Sequence, residues 1–315
     1  MRNYITIDGG TSNTRVSLIR NGVKCNTVKL SLGARAGIDQ RGAITAAVRE
    51  AIADLLQQNA LTERDIHRVL AAGMITSEFG LYHLPHIETP AGIAELHDTM
   101  QEVVLPHITT IPFVFIRGVR QNGTTLDQID LMRGEETELV GILEDTAENC
   151  LLILPGSHSK LIQTDACGRI IDFRTMLTGE MLFALSQNTI LKDAVCIQTE
   201  ELCAEYLQKG YVYACEYGVN EALFKVRVLK NVCGADATQT YSFFCGVILC
   251  DEIRAVLRTD ADRVVIGGRK QIREAMTLLL QQLCTKQICC LCDEQVENSV
   301  SNGMIRIYEY SAAQH

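Results

Sequence analysis

The sequence lacks any long apolar run and any excess of basic residues, and each absence excludes a class of protein. Its most apolar stretch, residues 243–250, is far shorter than the ~20 residues that a membrane-spanning helix needs. Lysine and arginine number 29 against 38 aspartate and glutamate residues, so the formal net charge is −9. Without a basic excess, the chain does not suit a nucleic-acid or anionic-membrane partner. Any phosphate that it binds must therefore be bound locally.

Two common nucleotide-binding signatures and a leader segment are also missing. The chain contains neither Gly-x-x-x-x-Gly-Lys-Ser/Thr nor Gly-x-Gly-x-x-Gly, which argues against P-loop and Rossmann proteins. Because Asp8 interrupts any apolar segment near the start, we expect no signal peptide and a cytoplasmic location.

Cysteine, in contrast, is abundant. The thirteen cysteines are odd in number and lie mostly within apolar runs, which predicts reduced, buried thiols rather than disulfides. The densest group, within residues 284–292, lacks two separated Cys-x-x-Cys pairs, so a buried strand is favoured there over a zinc site.

The stretch from Tyr4 to Arg20 has the pattern of a β-hairpin with a polar tip. Two runs rich in Ile, Val and Leu flank Gly9, Gly10, Thr11, Ser12 and Asn13. Paired glycines let successive backbone N–H groups converge on an anion, and Arg15 adds a charge suited to phosphate. The tip therefore predicts a phosphate-binding turn, although an ordinary hairpin turn is the alternative.

Asp8, at the end of the first predicted strand, indicates a nucleotide site rather than a simple anion site. A carboxylate beside an anion is repulsive unless a cation lies between them, and the Mg²⁺ that accompanies ATP is the usual cation. We therefore predict that Asp8 positions Mg²⁺ and ATP.

Three later stretches add candidate site residues. An apolar strand at 151–154 opens into a second phosphate-type turn followed by another strand, the same order as in the opening hairpin. A helix predicted at 135–143 carries three carboxylates in its first turn, which the helix dipole alone would favour by ~0.3 to 1 kcal/mol each. The polar loop 73–92 follows a predicted strand, where α/β folds bind ligands, so it is either a pocket wall or a solvated loop. The candidate residues of these stretches are Gly156, Ser157, His158, Ser159 and Lys160, then Glu135 and Glu136, then Thr76, Ser77 and Glu78.

Taken together and in this order, five stretches resemble the 2-dehydro-3-deoxygalactonokinase family of the actin-like ATPase superfamily. They are Asp8–Arg15, Ala72–Ile75, Met132–Leu139, Leu154–Lys160 and Asp172–Glu180. The resemblance extends over nearly the whole chain and is looser after Glu180. It implies an α/β fold of two actin-like ATPase (ribonuclease H-like) domains that face each other across a nucleotide cleft. We place these domains at 1–130 and 131–315 and expect the last helix, near residues 296–308, to return to the first domain.

The resemblance also implies an activity and roles for the candidate residues. The expected reaction is ATP-dependent phosphorylation of the 6-hydroxyl of 2-dehydro-3-deoxy-D-galactonate, a step of galactonate catabolism. Glu135 is the predicted base with Glu136 as the alternative, and Asp8 and Arg15 complete the catalytic set. Arg133 joins the substrate-binding loop, and the adenosine is expected against Gly267 and Gly268. Whether the protein forms a homodimer is left open.

Two other functions and one departure from the family pattern remain. The substrate could be a related sugar acid such as 2-dehydro-3-deoxygluconate, or the protein could be a non-catalytic nucleotide-binding switch of the actin or chaperone kind. A switch would need neither an acidic base nor a sugar pocket. Gly9 stands where close relatives are expected to carry a bulky aromatic residue, so we expect an enlarged or loosened site beside the phosphates.

Overall fold

The computed structural model describes residues 2–33, 42–143, 149–199 and 201–311. The chain divides into two compact units. Unit 1 comprises Met1–Glu148, Asp165–Asp172 and Glu294–His315, and unit 2 comprises Asn149–Thr164 and Phe173–Asp293. This division differs from the predicted boundary between residues 130 and 131, and it places the last helix in unit 1, as predicted.

Unit 1 is built on a six-stranded sheet of order β3-β2-β1-β4-β7-β6 and a three-stranded sheet of order β5-β8-β9. The predicted hairpin is confirmed, because β1 pairs antiparallel with β2, while β4 adds parallel to β1 and β7 parallel to β4. The strands are β1 (Asn3–Gly9), β2 (Thr14–Arg20), β3 (Val23–Leu30), β4 (Arg68–Gly73), β5 (Ile87–Glu88), β6 (Gln101–Val103), β7 (Phe113–Phe115), β8 (Val119–Arg120) and β9 (Leu131–Met132).

The helices of unit 1 are α1 (Ala43–Gln58), α2 (Ile93–Asp98) and α3 (Glu135–Ile142), together with the final helix, α10 (Asp293–Glu309). Helix α1 buries an apolar stripe at helical spacing, from Ile44 to Leu56, against the sheet. Helix α3 belongs to unit 1 because its backbone lies directly on α10. A Cβ added to Gly141 would meet the carbonyl oxygen of Ser299 at 1.8 Å.

Unit 2 is built on a five-stranded sheet of order β12-β11-β10-β13-β14. As in unit 1, a central strand pairs antiparallel with its hairpin partner, and two further strands add in parallel on its other side. The topology of the two sheets is therefore repeated, although their sequences are too different to show a repeat. The strands are β10 (Cys150–Leu154), β11 (Ser159–Thr164), β12 (Ile170–Met176), β13 (Arg263–Ile266) and β14 (Gln287–Cys290).

The described part of unit 2 contains six α-helices. The apolar segment 242–257 forms most of α7 and all of α8, and residues 240–248 are buried without exception. Asp236 caps α7 by accepting a hydrogen bond from the Gln239 N–H at 2.8 Å. The helices are α4 (Thr178–Asn188), α5 (Ala204–Tyr217), α6 (Val219–Asn231), α7 (Ala237–Ile248), α8 (Cys250–Leu257) and α9 (Lys270–Leu283).

The cysteines are all free, but the prediction that they are buried is wrong for most of them. Only Cys150, Cys245 and Cys250 are buried, and seven cysteines are exposed. The strand predicted in the densest group exists as β14, but it lies at the edge of its sheet, which leaves Cys290 exposed. Within the described ranges, no helix combines the length and the apolar character needed to cross a membrane.

Candidate active site

The turn between β1 and β2 places the first predicted phosphate-binding residues at an accessible tip. The strands pair up to Gly9 opposite Thr14, and the Gly10 N–H donates to the Asn13 carbonyl oxygen at 2.8 Å. Thr11, Ser12 and Asn13 are exposed beyond this closing bond. Their backbone N–H groups and hydroxyls are therefore available to an anion, which is what a phosphate-binding turn requires.

Asp8 and Arg15 lie opposite each other at the base of this turn. Nη1 of Arg15 donates to Oδ2 of Asp8 at 3.0 Å, with side-chain exposures of 60% and 26%. Burial raises the pKa of Asp8, the charges of Arg15 and then Lys24 oppose this shift, and nearby Glu135 adds to it. Because the two cations together do not fully offset burial and the neighbouring carboxylate, a further cation at Asp8 would be electrostatically favourable.

The backbone beside Asp8 is packed too closely for any side chain. Gly73 lies opposite Gly9 in the parallel β1–β4 pair, with a φ of +80°, and a Cβ on it would lie 2.4 Å from the Gly9 carbonyl oxygen. A Cβ on Gly9 would lie 2.7 Å from the backbone nitrogen of Ile75. The expectation that Gly9 enlarges or loosens the site is therefore wrong, because the segment that follows β4 fills the space.

The first turn of α3 separates its two leading carboxylates. Oε2 of Glu135 accepts from the Arg133 N–H at 3.0 Å, and the residue is partly exposed. Glu136 is fully buried, and both of its carboxylate oxygens accept from the Gly134 N–H at 2.8 Å. Burial, followed by the charge of Glu135, raises the pKa of Glu136 to about 7. Glu136 thus holds the turn before the helix, while Glu135 is the more accessible of the two.

Glu138 is a third carboxylate of this site and is not among the predicted site residues. Burial raises its pKa to about 8, and the charges of Asp8 and Glu135 contribute to the shift. Its Oε1 accepts a hydrogen bond from Oγ of Ser299 at 3.3 Å. The signal was present in the sequence, because a residue three positions after Glu135 lies on the same side of a helix.

We expect Glu138→Gln to stabilise the protein at alkaline pH. Because its pKa is raised, the Glu138 carboxyl binds its proton more tightly in the folded state than in the unfolded state. Its contribution to the free energy of unfolding is therefore fully present below pH 4.5 and is lost as the pH rises through about 8. The neutral glutamine avoids that loss, by about 1 to 3 kcal/mol at pH 8.5 after allowance for partial exposure. Denaturant unfolding at several pH values measures the difference.

The matched control for this prediction is Glu294→Gln, which removes an exposed carboxylate from α10. The free energy of unfolding of this control should not exceed that of wild type at pH 5 or at pH 8.5. A constant difference between Glu138→Gln and wild type from pH 5 to 8.5 would contradict the electrostatic explanation.

The loop after β4 contains the predicted substrate residues, and most of their polar groups are engaged inside unit 1. Oγ1 of Thr76 donates to the Gly73 carbonyl at 3.0 Å, and Oγ of Ser77 donates to that of Met74 at 2.7 Å. Glu78 is exposed. The geometry gives Thr76 and Ser77 a role in fixing the loop and leaves Glu78 accessible.

Arg133 fastens this loop to the segment before α3. Its Nη1 donates to the Thr76 carbonyl at 3.0 Å and its Nη2 to the Leu84 carbonyl at 3.0 Å. Nη2 also lies 3.3 Å from Nδ1 of His86, whose pKa falls to about 4 through burial and the Arg133 charge. Much of the donor capacity of Arg133 is therefore used to position the loop.

In unit 2, the second predicted phosphate loop divides into an accessible tip and a buried strand. Ser157 is exposed, and Gly156 and His158 are partly exposed, whereas Ser159 is fully buried and Lys160 is only 4% exposed at the start of β11. The predicted phosphate contacts of the Ser159 and Lys160 side chains are thus not supported by this geometry. Nε2 of His158 lies 3.1 Å from Oε1 of Glu180 on α4, so Glu180 borders the tip.

The predicted adenosine turn lies directly against the second loop. Gly268 has a φ of +67°, and a Cβ on it would lie 2.3 Å from the carbonyl oxygen of Pro155. The Gly267 N–H donates to the Ile153 carbonyl at 2.9 Å, and the Arg269 N–H donates to that of Pro155 at 2.7 Å. The two predicted nucleotide-binding segments of unit 2 are therefore neighbours.

A metal ion would have to rely on few protein ligands. Across the described ranges, no three His, Cys, Asp or Glu side chains are arranged to hold a metal ion together. Mg²⁺ commonly binds through one or two carboxylates together with waters and substrate phosphates. Asp8 as a single carboxylate beside a phosphate-binding turn fits that donor set.

The chain is similar in sequence and in structure to known proteins. The chain is 28% identical over 260 residues to 2-dehydro-3-deoxygalactonokinase of Escherichia coli (strain K12), an alignment that covers 80% of each protein. A crystal structure of a candidate 2-dehydro-3-deoxygalactonokinase from Sinorhizobium meliloti superposes with a TM-score of 0.76 and 22% identity, covering 98% of this chain and 100% of that one. Component A of (R)-2-hydroxyglutaryl-CoA dehydratase from Acidaminococcus fermentans gives a TM-score of 0.52 and 12% identity, covering 98% of both chains.

These two structural superpositions confirm the predicted fold class, an α/β fold of the actin-like ATPase and sugar kinase type. The family model for 2-keto-3-deoxy-galactonokinase matches residues 8–307, which begin at Asp8 and include both phosphate-type loops. The chain belongs to the 2-keto-3-deoxy-galactonokinase family.

Proposed function

We propose that this protein is an ATP-dependent kinase that phosphorylates the 6-hydroxyl of 2-dehydro-3-deoxy-D-galactonate. The observation that carries the proposal is the family match from residue 8 to residue 307, which includes every segment that holds a candidate site residue. The site geometry supports it, because an accessible anion-binding turn lies next to Asp8 and close to the carboxylates of α3. A non-catalytic switch would need no acidic base, whereas Glu135 is an accessible carboxylate at the start of α3.

Asp8 is the proposed Mg²⁺ ligand, with ATP supplying the remaining anionic ligands. When bound, Mg²⁺ would neutralise charge on the phosphates during transfer. The chain itself contributes the N–H groups of the Gly10–Asn13 turn to orient the phosphates. Arg15, which is mostly exposed and lies 3.0 Å from Asp8, supplies a fixed positive charge to the transferring group.

Glu135 is the proposed base that accepts the proton of the attacking hydroxyl. It is the accessible member of the Glu135–Glu136 pair, and its Oε2 is oriented by the Arg133 N–H at 3.0 Å. Glu136 has both carboxylate oxygens on the Gly134 N–H and is fully buried, so we assign it to hold the turn. The phosphoryl-transfer transition state is loose, so a carboxylate within hydrogen-bond reach is basic enough.

In unit 2, the tip formed by Gly156, Ser157 and His158 is the proposed second contact with the ATP phosphates. Gly267 and Gly268, which lie against the same loop, are the proposed adenosine contacts. Of the loop after β4, exposed Glu78 is the proposed contact with substrate hydroxyls, and Arg133, Thr76 and Ser77 shape the loop from within. The thirteen free cysteines support a reducing, cytoplasmic location.

A coupled ADP-release assay on purified protein tests the substrate. We expect turnover with 2-dehydro-3-deoxy-D-galactonate and at least about tenfold lower kcat/KM with 2-dehydro-3-deoxy-D-gluconate, because one misplaced hydroxyl leaves a polar group unpaired. ATP without sugar acid is the control for background hydrolysis. Higher kcat/KM for the gluconate epimer would overturn the substrate assignment, and no ADP release with either acid would contradict the kinase itself.

A further inference from the structure

Glu252 is a buried carboxylate that is not among the predicted site residues and has no role in the proposed mechanism. It lies in the first turn of α8, is 1% exposed and is flanked by buried apolar neighbours such as Ile253. Ser159 Oγ donates to its Oε1, and Thr178 Oγ1 donates to its Oε2 at 2.6 Å. Both hydroxyl residues are buried as well, so each oxygen of this carboxylate has a defined partner.

The two hydroxyl groups belong to the two segments that form the second phosphate-type loop. Ser159 begins β11 directly after the tip residue His158, and Thr178 is the first residue of α4. The start of α4 packs on the tip, because the Glu180 N–H donates to the Ser157 carbonyl at 3.2 Å. A single carboxylate therefore fixes the strand that leaves the loop and the helix that supports it.

An apolar residue would be less costly at this buried position. Removing a carboxylate from water is unfavourable, and burial raises the pKa of Glu252 while its bonds to Ser159 and Thr178 oppose the shift. A neutral aliphatic side chain could fill the space but could not accept hydrogen bonds from two hydroxyls at once. The carboxylate is thus suited to fixing the geometry of the loop rather than to adding stability.

We propose that Glu252 is a positioning residue that holds the second phosphate-type loop in its nucleotide-binding conformation through Ser159 and Thr178. It acts through these two hydroxyls and makes no contact with nucleotide itself. The inference rests on the proposed function, in which the tip at Gly156 to His158 contacts the ATP phosphates.

The test measures Mg-ADP binding to the full-length protein by isothermal titration calorimetry, followed by steady-state kinetics. Glu252→Gln is expected to weaken Mg-ADP binding and to raise the KM for ATP by about tenfold each, because one hydroxyl loses its acceptor. The KM for the sugar acid should stay within about twofold of wild type. Asp251→Asn, which removes an exposed carboxylate from the preceding position of α8, is the matched control and should bind Mg-ADP like wild type.

Two further variants test the same contacts if Glu252→Gln does not fold. Ser159→Ala and Thr178→Ala should each weaken Mg-ADP binding, and adding either to Glu252→Gln should have little further effect, since the three residues form one contact set. Unchanged Mg-ADP binding in these variants, with a lower melting temperature alone, would overturn the positioning role. Failure of the wild type to bind Mg-ADP would instead overturn the proposed function on which the inference rests.

Discussion

Asp8→Asn is expected to lower kcat by at least about 10²-fold while leaving the fold intact. Asparagine keeps the size of the side chain but removes the charge that we assign to Mg²⁺, and charge stabilisation by a metal is a major part of phosphoryl transfer. The fold should tolerate the change, because the ion pair of Asp8 is with Arg15, whose side chain is 60% exposed. Kinetics at a series of Mg²⁺ concentrations measure the effect, and thermal unfolding checks the fold.

The matched control is Asp127→Asn, which removes an exposed carboxylate from another part of unit 1. It should retain wild-type kcat at every Mg²⁺ concentration. The residual activity of Asp8→Asn should depend on Mg²⁺ over a higher concentration range than that of wild type. If Asp8→Asn keeps wild-type activity at limiting Mg²⁺, the assignment of Asp8 as the metal ligand is wrong.

Local patterns predicted the elements of this fold well, because each pattern is set by residues close together in the chain. The hairpin at Tyr4–Arg20 and the helix that begins at Glu135 follow directly from local sequence patterns. The second strand-loop-strand unit was recognised in the same way. The proposed base also comes from a local feature, the acidic first turn of α3.

Most features that depend on distant parts of the chain were not predicted. The division into units differs from the predicted boundary because unit 1 extends to Glu148 and also contains residues 165–172, which follow the first hairpin of unit 2 in sequence. Glu252 is 93 residues from Ser159, so no local spacing reveals their contact. The effect of Gly9 was misjudged for the same reason, since Ile75, which leaves no room there, follows a different strand.

The burial of individual polar residues was also not predictable from the sequence. Ser159 and Lys160 continue a polar-looking loop in the sequence, but they begin a buried strand in the structure. Glu136 looks equivalent to Glu135 in the sequence, yet one helix position separates a fully buried carboxylate from a partly exposed one. Successive helical residues point about 100° apart, so their environments can differ completely.

Because Glu135 is the accessible member of this pair, its substitution should impair the proton transfer step. Glu135→Gln is expected to lower kcat by ~10² to 10⁴-fold with little change in the affinity for ATP. Glutamine preserves an oxygen that can accept the Arg133 N–H bond, so the start of α3 should keep its shape while losing the base. Steady-state kinetics in both substrates, together with Mg-ADP titration, separate the loss of kcat from a loss of binding.

Glu136→Gln is the matched variant, because it makes the same chemical change at the next position of the helix. Glutamine can accept the Gly134 N–H bond through one oxygen only, whereas the carboxylate uses both, so we expect a loss of stability and a modest fall in kcat. If Glu136→Gln loses kcat while Glu135→Gln retains it, the two roles are exchanged and the buried carboxylate, with its pKa near 7, is the base. If both variants retain near-normal kcat, the base does not lie on α3, and the proton of the 6-hydroxyl leaves by another group.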